Sequence, residues 1–305
     1  MINPSNLKKR LLFALWAAPL GWFLINADFS VIPRAYASGI FHEDTMVMYM
    51  GQLFAMILVF IGLSEYLKML RISFARNGFW LVYLWLCFQF ASYFWPAISL
   101  KRSLDTYLLI LIVAAEAIAW GGGTPRWKRA SLLFSGTVFL SVAGFSLLSF
   151  YHEPFKQIFP QMFKASMLSH LGIVTVIFSI VMCDSIAYFV GSIWGRHHFS
   201  SISPNKTLEG SAAGLIAAIL FSTIGWFFFA DGKYSLLLGI MMGLLIGIFA
   251  QLGGFIVSII KRYFNVKDAS DIFPGHGGVL DRFDSLFFAA PILNLFFVIL
   301  VKFTG

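Results

Sequence analysis

Apolar stretches long enough to cross a membrane recur along almost the whole of this 305-residue chain, and no other feature constrains its fold as strongly. A spanning helix needs roughly 20 mostly apolar residues. Nine such runs can be read, at about 11–31, 46–67, 78–95, 104–120, 130–151, 167–194, 211–230, 235–260 and 284–303. Hydrophobic residues make up 59% of the chain and charged residues only 12%, whereas a soluble domain carries about 25% charged residues. The expected fold is therefore an all-α, polytopic membrane helical bundle with about nine transmembrane helices and no sizeable soluble domain. It divides into 1–160, with five spans, and 161–305, with four spans and two long polar loops.

Charge gives the orientation. With the N-terminus inside, the inner loops hold 15 of the 22 Lys and Arg residues and the outer loops hold 7. The positive-inside rule then places the N-terminus and the two long loops in the cytoplasm. The net charge of +8 is read as topology plus attraction to anionic membrane lipids, not as a nucleic-acid footprint. Lys8, Lys9 and Arg10 before the first apolar run resemble the start of a signal peptide, but Pro33 and Arg34 separate that run from the small residues Ala35 and Ala37, so the first helix is expected to be retained. Cys87 and Cys183 both lie in apolar runs and offer neither a disulfide framework nor metal-ligand spacing.

Function is expected on the two long inner loops, at about 195–210 and 261–280. The second combines three chemical elements. Lys261, Arg262, Lys267 and Arg282 supply positive charge where water meets membrane. Gly275, Gly277 and Gly278 allow backbone N–H groups to come close to a ligand, as in phosphate-binding loops. Asp281 and Asp284 lie three apart on one face of the last helix. Carboxylates, bases and a glycine turn together suit a Mg²⁺–nucleotide site, because Mg²⁺ usually takes one or two carboxylates plus substrate phosphates. Singly, each feature has an ordinary explanation in topology, turn formation or helix capping. Together, with His276 among them, they exceed it. On the first loop Lys206 and Thr207 could hold a phosphate, although no glycine pattern of the P-loop type precedes them. Asp184, late in a long apolar helix, is costly there and so a functional candidate. Glu65 is read as a local partner of Lys68, and Glu116 as a paired structural carboxylate.

The stretch from 258 to 284 resembles the signature of the phosphatidate cytidylyltransferase family: Ser258, Lys261-Arg262, Lys267-Asp268, Pro274-Gly275-His276-Gly277-Gly278, then Asp281-Arg282 and Asp284. The first loop is similar to a second family stretch, with Asp184, Ala187-Tyr188, Gly191 and Gly195 followed by Ser203-Pro204, Lys206-Thr207 and Glu209-Gly210. The resemblance covers roughly the last 140 residues; the first five helices match in hydropathy alone. One departure stands out. Many members have Asp and Glu where this chain has Gly254 and Val257.

The resemblance implies that CTP and phosphatidic acid react to give CDP-diacylglycerol and pyrophosphate. It implies Lys206, Arg262, His276, Asp281 and Arg282 as catalytic residues. Ser203, Thr207, Lys261, Lys267, Gly275, Gly277 and Gly278 would bind substrate. Mg²⁺ is expected mainly on Asp281, with Asp284 and Asp184 as further candidates and water and phosphate completing the shell in place of the missing Asp at 254. Expected partners are CTP, phosphatidic acid and membrane lipids, with no nucleic acid and with room for a homodimer. The expected location is a bacterial inner membrane, with the site facing the cytoplasm. A CTP-dependent polyprenol kinase, an ether-lipid cytidylyltransferase and a transporter are the alternatives. The ionisable groups gather at the helix ends rather than at the midplane, which disfavours the transporter.

Overall fold

A computed structural model describes residues 43–70, 82–84, 86–87, 126–149, 168–198, 203, 206–229, 235–273 and 277–304. Six long helices run through them: α1 (Glu43–Met69), α2 (Arg126–Ser149), α3 (Leu168–Trp194), α4 (Leu208–Phe229), α5 (Ser235–Tyr263) and α6 (Val279–Thr304). Each coincides with one of the apolar runs. The runs at 11–31 and 104–120, most of that at 78–95, and Glu116, Gly275 and His276 lie outside the described residues. Four helices are long and apolar enough to cross a membrane: α1, α3, α4 and α5. The protein is all-helical among the described residues and is an integral membrane protein.

The helices pack in a continuous sequence of neighbours. α3 lies on α4, α4 on α5 and α5 on α6, while α6 also meets α2 and α1. Lipid tails are as apolar as leucine, so close packing rather than water exclusion must hold such helices together. α5 carries Gly239, Gly243 and Gly247 at four-residue spacing against α4. A Cβ at Gly239 would stand 2.6 Å from Thr223 Cα, and one at Gly243 would stand 2.5 Å from Ile219 Cα. Neither neighbour is a flexible tip, so a larger residue at these positions forces the helices apart. The core between α1, α2 and α6 is ordinary and apolar, built on Leu63, Leu133, Leu140, Phe287 and Leu293, all fully buried. Pro291 sits within α6, which continues through it to Thr304.

Two capping arrangements bring the polar ends together. α5 stops just beyond Lys261 and Arg262 because Asn265 turns left-handed, with φ 56°. There the Val266 N–H donates to the Lys261 carbonyl at 2.9 Å and the Asn265 N–H to the Arg262 carbonyl at 3.0 Å. This pair of bonds is a Schellman C-cap, with Asn in the place glycine usually takes. α6 starts at Val279, five residues before the apolar run itself begins, because its first N–H groups are satisfied by side chains. Asp281 accepts from the Gly278 N–H at 2.9 Å, the reciprocal half of a capping box. Glu65, on α1, accepts from the Val279 N–H at 2.9 Å and the Leu280 N–H at 2.7 Å.

Candidate active site

The polar ends of α3, α5 and α6 and the loop before α4 meet at one end of the bundle. The loop is held there by small residues. Thr207 is buried, and its hydroxyl accepts the Gly210 N–H at 3.1 Å, capping α4. Gly191 on α3 lies so close that a Cβ there would stand 2.8 Å from Thr207 Oγ1, and Gly210 would in turn press within 2.9 Å of Gly191 Cα. Glu209 fastens the same junction, accepting from the backbone N–H groups of Arg196 and His197 and pairing with His197 Nδ1 at 2.6 Å. The Lys206 N–H donates to the Ser203 carbonyl at 3.1 Å, closing a turn. Thr207 is thus a cap whose oxygen is already engaged. Lys206, next to it, lies against α5.

The Lys206 ammonium lies against α5. It donates to the Gln251 carbonyl at 3.3 Å and would stand 2.7 Å from a Cβ at Gly254. An Asp284 oxygen lies 3.3 Å from that same position. The space left by Gly254 is therefore filled by the tip of one side chain and the carboxylate of another. It is not the gap in charge and volume that the sequence suggests. Gly253, one residue earlier, lets α5 contact the backbone of α6: a Cβ there would meet the Asp284 carbonyl oxygen at 2.7 Å. Burial pulls the Lys206 ammonium below the usual lysine range, and the neighbouring Asp284 and Asp184 carboxylates push the other way.

Asp184 and Asp284 are electrostatically coupled across the α3–α6 junction. The Ser285 hydroxyl donates to Asp284 Oδ1 at 3.3 Å. Asp284 Oδ1 also accepts the Ser285 N–H at 2.7 Å. Asp184 keeps exposed surface.

Asp281 is differently placed. Its Oδ1 lies 2.5 Å from the Lys261 ammonium. Its Oδ2 accepts the N–H groups of Ala269, at 2.7 Å, and Gly278, at 2.9 Å. A cation thus sits on one oxygen and two backbone donors on the other. Asp284 is similarly engaged: its Oδ1 takes the Ser285 donors, and its Oδ2 and the Lys206 ammonium both lie at the Cβ position of Gly254. Among the described residues no cluster of three His, Cys, Asp or Glu side chains forms a ready-made metal cage. Two carboxylates with hard oxygen donors suit Mg²⁺, which takes its remaining ligands from water and phosphate.

Of the remaining expected residues, Gly275 and His276 lie outside the described ones. Gly277 has φ +82° and closes a short turn by accepting the Phe273 N–H at 3.0 Å. Gly278 lies against Glu65, where a Cβ would stand 2.5 Å from the carboxyl carbon. Arg262 and Arg282 are exposed at the rim with Lys267, and Arg262 donates to the Val266 carbonyl at 3.3 Å. The Ser258 hydroxyl donates to the Gly254 carbonyl one turn back, at 2.7 Å, inside its own helix. Glu65 plays a different part from the one expected of it. It is fully buried and caps α6 instead of serving as a local partner of Lys68. A carboxylate one turn from the end of an apolar run was the only available sign.

The geometry accords with comparisons to known proteins. Regions of the chain are similar to proteins named phosphatidate cytidylyltransferase, at 42% identity over 118 residues for that of Staphylococcus haemolyticus and 39% over 130 residues for that of Bacillus subtilis. Those matches cover 38% and 41% of this chain, and 45% and 48% of the respective relatives. The chain spans about half the length of the curated relatives it matches. The model of the cytidylyltransferase family matches residues 35–300, which takes in every helix described above except the last few residues of α6. With that match extending over most of its length, the chain belongs to the cytidylyltransferase family.

Proposed function

We propose that this protein transfers CMP from CTP to phosphatidic acid, giving CDP-diacylglycerol and pyrophosphate. The observation that carries the reading is the meeting of Lys206 with the Asp184–Asp284 pair beside the Lys261–Asp281 pair, at the ends of apolar helices. A phosphoryl transfer between two anions needs charge neutralised and substrates aligned more than it needs covalent help. The membrane supplies one substrate and the water phase the other, and the site lies where the two meet.

In the reaction an oxygen of the lipid phosphate attacks the α-phosphorus of CTP. The new P–O bond forms as the α–β bridging bond breaks, and its electron pair leaves with pyrophosphate. The nucleophile is already an anionic oxygen, so no Ser, Cys or His nucleophile is required. Lys206 is placed to offset negative charge on the transferred group. Lys261, held by Asp281, adds positive potential next to it. Arg262 and Arg282, exposed at the rim, suit the entering phosphates. Asp184 and Asp284 would hold Mg²⁺, which when bound neutralises the CTP phosphates. The site is proposed to face the cytoplasm of a bacterial inner membrane, on the strength of the basic inner loops.

The test is transfer itself. Purified protein incubated with Mg²⁺, phosphatidic acid and CTP labelled at the α-phosphate should move label into the lipid phase. Retention of all label in the aqueous phase, with folded protein, would contradict the reading.

A further inference from the structure

Glu65 belongs to neither long loop, yet it reaches the middle and the far end of the second. From α1 its Oε1 accepts the Ser270 hydroxyl at 2.5 Å and the Val279 N–H at 2.9 Å, while Oε2 accepts the Leu280 N–H at 2.7 Å. Asp281 makes a parallel set of bonds, to the N–H groups of Ala269 and Gly278. Two carboxylates from different helices therefore clamp residues 269–270 to residues 278–280. Between them the Phe273 N–H donates to the Gly277 carbonyl at 3.0 Å. A simple helix cap would need only the N–H groups of Val279 and Leu280. The bond from Ser270 extends Glu65 to the far side of the turn. Glu65 is itself fixed, because the adjacent Tyr66 donates to the Leu132 carbonyl of α2 at 2.7 Å, and the Tyr66 ring lies where a Cβ of Gly136 would be. Gly278 can be nothing larger without displacing the Glu65 carboxylate.

We infer that Glu65 is a positioning residue for the nucleotide site: through Ser270, Val279 and Leu280 it fixes the backbone on either side of Gly277 and Gly278, which would receive the CTP phosphates. The N-terminal helices then do more than anchor the protein in lipid, since α1 sets the geometry of a loop more than 200 residues away. The kinetic part of this inference rests on the CMP-transfer reading. The structural part does not.

The test uses the full chain in detergent or proteoliposomes, with Glu65→Gln, Ser270→Ala and the double variant. Glu65→Gln turns one acceptor into a donor facing backbone N–H groups, whereas Ser270→Ala removes the bond to Glu65 and a longer one from the Ile272 N–H at 3.4 Å and leaves the cap of α6 intact. Glu65→Gln should raise the KM for CTP about tenfold or more, since small misplacements of binding groups are costly. The KM for phosphatidic acid should stay within about twofold. Ser270→Ala should shift the KM for CTP in the same direction by less, and the double variant should fall short of the product of the two. An unchanged KM for CTP in both single variants, with activity simply following the folded fraction, would show Glu65 to be structural only and overturn the inference. If Glu65→Gln fails to fold, the KM split in Ser270→Ala decides alone. If the wild type transfers no CMP, the reading of the reaction fails, and hydrogen exchange decides the clamp. Faster exchange at the Val279 and Leu280 amides in the variants, with α3 unchanged, supports it; identical exchange overturns it.

Discussion

Asp281 holds Lys261 at 2.5 Å, joining the last turn of α5 to the first turn of α6. Both side chains are mostly shielded from water, at 7% and 14% exposure respectively. Breaking a buried ion pair by removing one partner leaves the other charge unsatisfied and costs about 3–5 kcal/mol. Asp281→Asn should therefore lower stability by roughly 3 kcal/mol as well as abolishing most activity. Thermal unfolding in detergent measures the first effect. Adding Lys261→Met to Asp281→Asn should recover part of the stability without recovering activity. Full stability in Asp281→Asn alone would mean that the pair contributes little.

Metal dependence should follow a different pair. Asp184→Asn and Asp284→Asn each remove one carboxylate from the coupled pair beside Lys206. Each should raise the Mg²⁺ concentration for half-maximal activity by about tenfold or more, in line with what changes around metal ligands cost. Asp281→Asn should lose activity that added Mg²⁺ does not restore. Rescue of Asp281→Asn by Mg²⁺, with Asp184→Asn indifferent to it, would return the metal to Asp281.

Gly254 offers a test through pH. Burial holds the Lys206 ammonium below the ordinary 10.5 of a lysine. Activity that needs this charge should be present at lower pH and fall as pH rises through the lowered value. The profile of kcat/KM should accordingly show an alkaline limb below 10.5. Gly254→Asp places a carboxylate beside the ammonium, which favours the charged form. The limb should move to higher pH in that variant, and the flexible lysine tip can shift to admit the new side chain. An alkaline limb that stays in place would separate Lys206 from the titration.

Orientation has its own test. Cysteines placed at 206 or 267, in a background lacking Cys87 and Cys183, should resist an impermeant reagent added outside sealed cells. They should react once the cells are opened. Ready labelling from outside would reverse the topology and remove the site from cytoplasmic CTP.

Much of the fold was legible because hydrophobicity in a membrane chain is written in long blocks. The six described helices follow six apolar runs, and the polar loops between 195–210 and 261–280 mark where chemistry collects. Helix ends were less legible. α6 begins at Val279 because of Glu65 and Asp281, and a hydropathy run cannot register a cap, least of all one supplied from 214 residues away. The candidate site was legible in its residue types but not in its pairings. Nothing in the sequence pairs Asp281 with Lys261, or brings Lys206 and Asp284 to the space beside Gly254. Local rules favour partners three or four residues apart, which is why Glu65 was assigned to Lys68. Pairings between helices depend on packing that no local pattern encodes.

The central claim is that CMP, and not a phosphate, moves from CTP to phosphatidic acid. Two parallel incubations of the purified protein with phosphatidic acid and Mg²⁺ address it directly, one with CTP labelled at the α-phosphate and one with CTP labelled at the γ-phosphate. The account predicts α-label in the lipid, γ-label in pyrophosphate, and one pyrophosphate released per lipid converted. Label from the γ-phosphate appearing in the lipid, with CDP as the soluble product, would make the protein a kinase and contradict the account.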